Sequence, residues 1–271
     1  MADKNSFDYL RFVANRAGNL LHLPEVSAMS YVAYDELPNP YEESSVQLFP
    51  IGTKLTIGDR VYRYSKNGAG TLTASMVLQG AAEQNAAASV DIVVDAAAAA
   101  GTYEVSLTSQ AAIAVAANYY KEGYLFINDE AGEGQCFKIK SHDALVGTTA
   151  GSVFVLYDPI VTALTVASQV GLRKNLFDMP IVAAAPLTNR CAGVAPIGVT
   201  AAYYFWSQTG GPAAVNAHAA ITVGQVVYAG TTAGKSDPAI TDVKALQPIG
   251  VSMTPGAADT EKHLVFLTLD S

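Results

Sequence analysis

The sequence predicts a mainly β protein: two related small antiparallel β-barrel modules preceded by an extended N-terminal arm carrying a short helix. Three observations lead to that expectation. Residues 221–228 repeat residues 55–62, with Thr222, Gly224, Val227 and Tyr228 standing where Thr56, Gly58, Val61 and Tyr62 stand. Residues 196–199 and 248–251 are the same Pro-Ile-Gly-Val tetrapeptide, and residues 50–52 open the same way. Between these echoes run short apolar/polar alternations punctuated by Gly, Asn and Pro, the pattern of half-buried strands joined by tight turns.

The first 45 residues differ from the rest. Phe7, Tyr9, Leu10, Phe12 and Val13 lie among Arg11, Asn15 and Arg16, and a helix over residues 6–17 is expected, with Ser6 as its cap and Gly18 near its end. Pro24, Pro38 and Pro40 then forbid long regular elements, while Tyr31, Tyr34 and Tyr41 supply large side chains along an extended path. From Val46 onward the pattern is strand and turn. Residues 55–57 and 60–64 flank the turn at Gly58 and Asp59, and Asn67 to Gly70 forms the next turn. Strands are expected at 89–94 and 103–107, separated by an alanine run that serves as a turn. Residues 113–120 are left open between strand and short helix.

Residues 123–128 and 135–140 form the clearest hairpin, closed by a glycine-containing loop, and residues 152–157 form the next strand, ended by Asp158 and Pro159. Residues 160–171 are a connecting segment. The last module is expected to hold a strand over 201–208, a loop at Gly210 to Pro212, the repeated strand at 221–228, and strands at 248–251 and 263–269. The resulting boundaries are an arm over 1–45, a first β domain over 46–160 and a second over 161–271.

Composition narrows the function. Half of the 271 residues are hydrophobic and only 15% are charged, so many small apolar and hydroxyl residues face outward, as suits a surface covered by other subunits. The net charge of −8 disfavours wrapping nucleic acid, which needs Lys and Arg on phosphates. The polar residues 1–5 do not read as a signal peptide, and the alanine runs are broken well short of a membrane span. Cys136 and Cys191 make no disulfide framework and no CxxC motif, which fits assembly in a reducing cytoplasm.

Candidate chemistry is sparse. His22, His142, His218 and His263 share no ligand spacing, so no metal or other cofactor is expected. Asp129, Glu130 and Glu133 fit no EF-hand and read as a solvated hairpin tip. Gly132 and Gly134 enclose a glutamate in a hairpin, which fails the strand-to-helix context of a phosphate loop. Ser207 lacks the glycines of a nucleophile elbow. Alternation places Cys136 toward a core and leaves Cys191, beside Arg190, as the more reactive thiol, without a partner histidine in view. No enzymatic activity is expected. In the aromatic run 203–206, alternation sends Tyr204 and Trp206 to one face and Tyr203 and Phe205 to the other, one pair core and one pair surface or interface.

Residues 52–64 with 67–74, together with 123–139, the 153–158 strand and 204–211, resemble the head decoration, or capsid cement, proteins of tailed bacteriophages. The carboxy-terminal stretches 221–228, 248–251 and 263–269 are similar to compact β-clip-like modules of such proteins. The resemblance spans roughly residues 50–271 and carries no catalytic residues to transfer. It implies a structural virion protein on the outer surface of an icosahedral capsid, with the major capsid protein and copies of itself, as a homotrimer, for partners. Nucleic acid and membrane are not expected as partners. The interface candidates are Phe7, Tyr9, Leu10, Phe12, Tyr31, Tyr34, Tyr204 and Trp206. The alternative within virion architecture is a tail or fibre component that recognises a host surface glycan through Tyr204 and Trp206.

Overall fold

The computed structural model describes residues 12–14, 20–22, 38–82, 89–108, 114–145, 151–238, 246–256 and 261–270. Among them every regular element is a strand, and every strand pairing is antiparallel, so the mainly β expectation holds. The chain begins with β1 (Phe12–Ala14), β2 (Leu20–His22), β3 (Lys54–Ile57), β4 (Arg60–Lys66) and β5 (Val77–Gln79). It continues with β6 (Ile92–Ala96), β7 (Glu104–Leu107), β8 (Tyr124–Asp129), β9 (Cys136–His142), β10 (Ser152–Leu156) and β11 (Gln169–Arg173). It ends with β12 (Ile181–Val182), β13 (Cys191–Val194), β14 (Tyr204–Asn216), β15 (Val226–Ala229), β16 (Asp237–Pro238), β17 (Gln247–Ser252) and β18 (Lys262–Thr268).

Two compact units divide the chain, and they are nested. Residues 1–81 with 176–271 form one; residues 82–175 form the other. The expected boundaries at 45/46 and 160/161 are therefore replaced by 81/82 and 175/176. The reason lies in strand pairing: β5 and β12, on either side of the inserted residues, are hydrogen-bonded neighbours, with Gln79 opposite Ile181 and Leu78 opposite Val182. The chain leaves the first unit from one strand and returns on the next.

In the first unit the strand order is β1-β2-β3-β4-β14-β18-β17-β15-β16, with β5, β12 and β13 attached beside β14. The helix expected over 6–17 is not found at its described residues: Phe12 to Ala14 is strand, paired with β2, and β2 pairs in turn with β3. An aromatic and a β-branched residue in succession suit a strand once a partner edge is present. Strand β14 is 13 residues long and is the spine of the unit. Trp206 packs with Phe49, Leu55, Tyr62 and Tyr64, Phe205 with Leu72, Leu78, Ala192 and Val199, and Ala213 and Val215 with Val227, Ile249 and Val265.

The loop expected at Gly210 to Pro212 is instead part of β14. Register shifts between Gln208 and Gly210 where β14 passes from its pairing with β4 to its pairing with β18. Gly211 has φ of +74°, and a Cβ there would lie 2.0 Å from the carbonyl oxygen of Asp59. Glycine is required for the bulge and for the close approach, and it does not break the strand.

The second unit is a closed antiparallel barrel in the order β10-β7-β6-β11-β8-β9. The hairpin expected from 123–140 is there as β8 and β9, with Leu125 opposite Phe137. Closure leaves no free edge. Ile92, Val105, Leu107, Leu125, Ile127, Ile139, Phe154, Val170 and Leu172 fill the interior.

The repeat that suggested two modules resolves differently. Residues 55–62 are a tight hairpin of β3 and β4, whereas Ile221 makes an isolated bridge to Gly256 before a turn leads into β15. The nearer structural kin of 221–226 are 72–77, 164–169 and 199–204. Each has an aliphatic bridging residue, then Thr, then a turn, then a strand or its first residue. Leu72 bridges Val199, and Leu164 bridges Ala98. The motif recurs in both units and does not mark two successive modules. The identical tetrapeptides also part company: 248–251 lies inside β17, while 196–198 is a bend ahead of the Val199 bridge.

Two outcomes follow from this architecture. Gly211→Ala is expected to destabilise the first unit by about 2–4 kcal/mol, from strained φ and backbone overlap, as urea unfolding followed through Trp206, the one tryptophan, will measure; an unshifted midpoint contradicts it. Replacing residues 82–175 by a short Gly-Ser linker is expected to leave the first unit folded, with native Trp206 emission and a β circular dichroism spectrum. Loss of both contradicts the nested arrangement.

Candidate interaction surface

The aromatic run at the start of β14 is mostly interior. Phe205 is fully buried, and Trp206 is 3% exposed against Phe49 and Tyr64, with ring centroids 5.4 and 5.0 Å away. Both faces of the strand are covered there, so alternation alone does not separate a core pair from a surface pair. Tyr204 is half-buried, stacked on Tyr64 at 5.8 Å with an interplanar angle of 9°, and Lys66 Nζ lies 5.7 Å from its ring centroid. Trp206 is thus a core residue and offers no platform for a sugar. Phe7, Tyr9, Leu10, Tyr31 and Tyr34 lie outside the described residues. Phe12 lies in β1, opposite His22.

The two thiols exchange the roles expected from sequence. Cys136 is exposed on β9, whereas Cys191 is buried on β13, and burial pushes the Cys191 thiol up to about 12 against the small opposing pull of Arg190. Cys191 is therefore inert in the folded chain. The assignment failed because β13 is buried at every position, so desolvation of the Cys191 sulfur outweighs the pull of Arg190.

His142 and His263 are wired into cores, whereas His218 is exposed. His263 places one ring nitrogen 2.7 Å from Ser236 Oγ and the other 2.9 Å from Ser252 Oγ, and burial lowers its pKa. Ser207 donates to the carbonyl of Ala192 at 2.6 Å. Asp129 caps the amide of Glu130, as a hairpin tip would. Among the described residues no three His, Cys, Asp or Glu side chains converge as metal ligands. In the barrel, Glu122 accepts from Tyr157 Oη at 2.8 Å and lies 3.5 Å from Lys138 Nζ. Arg63 braces Asp270 and the carbonyl of Gly52, and although burial opposes it, the guanidinium holds the Asp270 carboxyl below its usual range. These are structural pairings.

Sequence reasoning missed the outer face of β14, β18, β17 and β15. Pro212 stands opposite Phe266, Phe266 opposite Val251, and Val251 opposite Val226. Direct cross-strand partners share a face, so these four residues form one continuous row over four strands. Val226, Val251 and Phe266 are 41%, 37% and 44% exposed, and Pro212 is half-exposed. A second row adjoins it: Ala214 faces Leu264, whose carbonyl accepts from the Met253 amide. Every residue of both rows is apolar. A solvated face of an antiparallel sheet ordinarily alternates to polar residues, and contiguous exposed apolar area marks an interaction surface. The signal was present in the sequence, where Leu264, Phe266, Val251 and Val226 are apolar in the outward phase, but it needs the register of four strands to assemble.

No family model matches the chain, and comparisons with curated proteins and with solved structures find no match. The reading of the surface therefore rests on its geometry.

One measurement checks the thiol assignment. A thiol-specific disulfide reagent is expected to modify one sulfhydryl of the native protein quickly and the second only on unfolding. Cys136→Ser is expected to abolish the fast phase. A fast phase that survives this substitution contradicts the burial of Cys191.

Proposed function

We propose that the chain is a structural virion protein that binds the outer surface of an icosahedral phage capsid and stabilises contacts between capsid subunits. The observation that carries the reading is the apolar two-row face of β14, β18, β17 and β15, an adhesive surface. The resemblance of residues 50–271 to head decoration proteins supports the same reading. In this role the major capsid protein is the partner, and copies of the chain act together as a homotrimer at junctions of the lattice. Added interface across those junctions favours the assembled shell by mass action. Several weak contacts held at high effective concentration suffice for occupancy.

The apolar face suits such docking physically. Phe, Val and Met side chains transfer favourably from water, each full burial contributing about 1.5–3 kcal/mol, and β-sheet backbone beneath them is already ordered, so little conformational entropy is lost on binding. The N-terminal segment, with Phe7, Tyr9, Leu10 and Phe12, is proposed to widen the footprint. The glycan-binding alternative loses Trp206, which the core has taken.

The test is co-sedimentation of the purified protein with heads that lack it. Phe266→Asp and Val251→Lys, each checked for a native β spectrum, are expected to lower affinity at least tenfold, about the value of one buried apolar side chain. Undiminished occupancy by both variants, or no sedimentation of the unsubstituted protein, contradicts the proposal.

A further inference from the structure

One group in the barrel is wired for a single protonation state, and it holds a segment that has no strand of its own. His142, the last residue of β9, is 4% exposed. Its Nδ1 lies 2.6 Å from the carbonyl oxygen of Asp143, and its Nε2 lies 2.8 Å from the backbone nitrogen of Tyr120. The carbonyl can only accept, so Nδ1 carries the proton. The amide can only donate, so Nε2 must offer its lone pair. Only the neutral ring with its proton on Nδ1 satisfies both contacts. The ring is also stacked on Phe154, its direct cross-strand partner, at 4.6 Å with an interplanar angle of 6°.

The segment held by this ring is residues 116–123, a series of turns between the Val115 bridge and β8. Its Tyr120 is fully buried and leans on the His142 ring at 5.8 Å. Asn118 and His142 are joined twice more, the His142 amide donating to Asn118 Oδ1 and the Asn118 amide to the His142 carbonyl, both at 3.0 Å. Asn118 and Glu122 both sit at positive φ, 64° and 63°, so the segment does not continue as regular structure by itself. At its far end Glu122 accepts from Tyr157 and approaches Lys138.

From this geometry we propose that His142 is an acid-sensitive latch: a proton on Nε2 turns its acceptor into a second donor against the Tyr120 amide and releases the 116–123 strap from the barrel. Such a step is a proton uptake by one imidazole, with no other bond made or broken except the hydrogen bond that is lost.

The charged groups around the ring set the direction. On its own strand end, Asp143 favours the protonated ring, both as a nearby carboxylate and through its carbonyl; burial opposes this and is the larger effect, so the His142 pKa lies below the ordinary histidine value. β10 offers only the apolar Phe154 to the ring. On the strap, Lys121 is exposed, and the Glu122 carboxylate is engaged by Tyr157 and Lys138. Lys174, next to the strap, lies over the Tyr119 ring. Because the folded-state pKa is depressed and the released state titrates near 6.5, the released strap binds more protons between those two values. The latch is therefore fully closed above about pH 6.5 and weakens as pH falls below it, by at most tenfold per pH unit.

Hydrogen–deuterium exchange of the full chain between pH 7.5 and 5.0, corrected for the intrinsic chemical rate, tests this. Protection of peptides covering 116–123 is expected to fall by up to tenfold per pH unit below about 6.5, ahead of β8 and β9, while β14 keeps its protection. His142→Gln is expected to flatten the dependence, and His263→Gln to leave it in place. Constant protection of the strap, uniform loss through all six barrel strands at one pH, or the same fall in His142→Gln overturns the latch. Should His142→Gln not fold, nuclear magnetic resonance of the unsubstituted protein decides. The ring of His142 is expected to titrate below 6.5 together with the Tyr120 amide shift, and titration without that shift overturns the proposal.

Discussion

Strand β14 runs through three apolar clusters in turn, and the burial of both its faces near Phe205 and Trp206 constrains the rest of its unit. A strand covered on both sides needs elements above and below it as well as partners on its edges. β4 and β18 supply the long pairings, β13 a shorter one, and β5 docks against β13. The hand-over from β4 to β18 falls at the bulge between Gln208 and Gly210, and at Gly210 and Gly211 backbone approaches backbone too closely for any side chain. One strand thus sets both where the core sits and which strands are free to present a face outward. The free face is the one carrying Phe266 and Val251.

The inserted barrel is a separate solution to the same problem. Six strands close on themselves and fill their interior with alternating side chains, so the unit needs no edge partner. Its irregular strap is held by buried Tyr120, by backbone and amide hydrogen bonds, and by one contact, from the Tyr120 amide to His142 Nε2, that demands a particular protonation state. A neutral histidine between an amide and a carbonyl gives strong local order at neutral pH and makes that order conditional on pH. The His263 site in the other unit has different partners: its ring nitrogens face the hydroxyls of Ser236 and Ser252, which themselves donate to the carbonyls of Asn216 and Thr254.

The β8–β9 hairpin and the strands β6, β7 and β10 were readable because alternation and turn residues agree locally. The nesting of the units was not, because it depends on Gln79 meeting Ile181 across about a hundred residues, which no window of sequence contains. The helix expected near Phe12 failed for a related reason: local propensity is weak, and pairing with Leu20–His22 overrides it. Gly210, Gly211 and Pro212 looked like a loop because glycine marks both turns and bulges. The repeated threonine-turn motif was half-seen: one copy was matched to the 55–62 hairpin, while its truer kin at 72–77, 164–169 and 199–204 share only an aliphatic residue, a threonine and a turn. Of the interface candidates, Trp206 was misplaced since two-sided burial hides an aromatic that alternation assigns outward, and the apolar rows went unnoticed since four strands contribute to them.

In the proposed role the chain adheres to a phage head through the outer face of β14, β18, β17 and β15. A cryo-electron reconstruction of the parent particle, with this protein's density fitted, tests it most directly. Density is expected on the outside of the icosahedral shell with Phe266, Val251 and Val226 turned toward capsid subunits. Density confined to the tail, or seated on the shell with that face open to solvent, would contradict it.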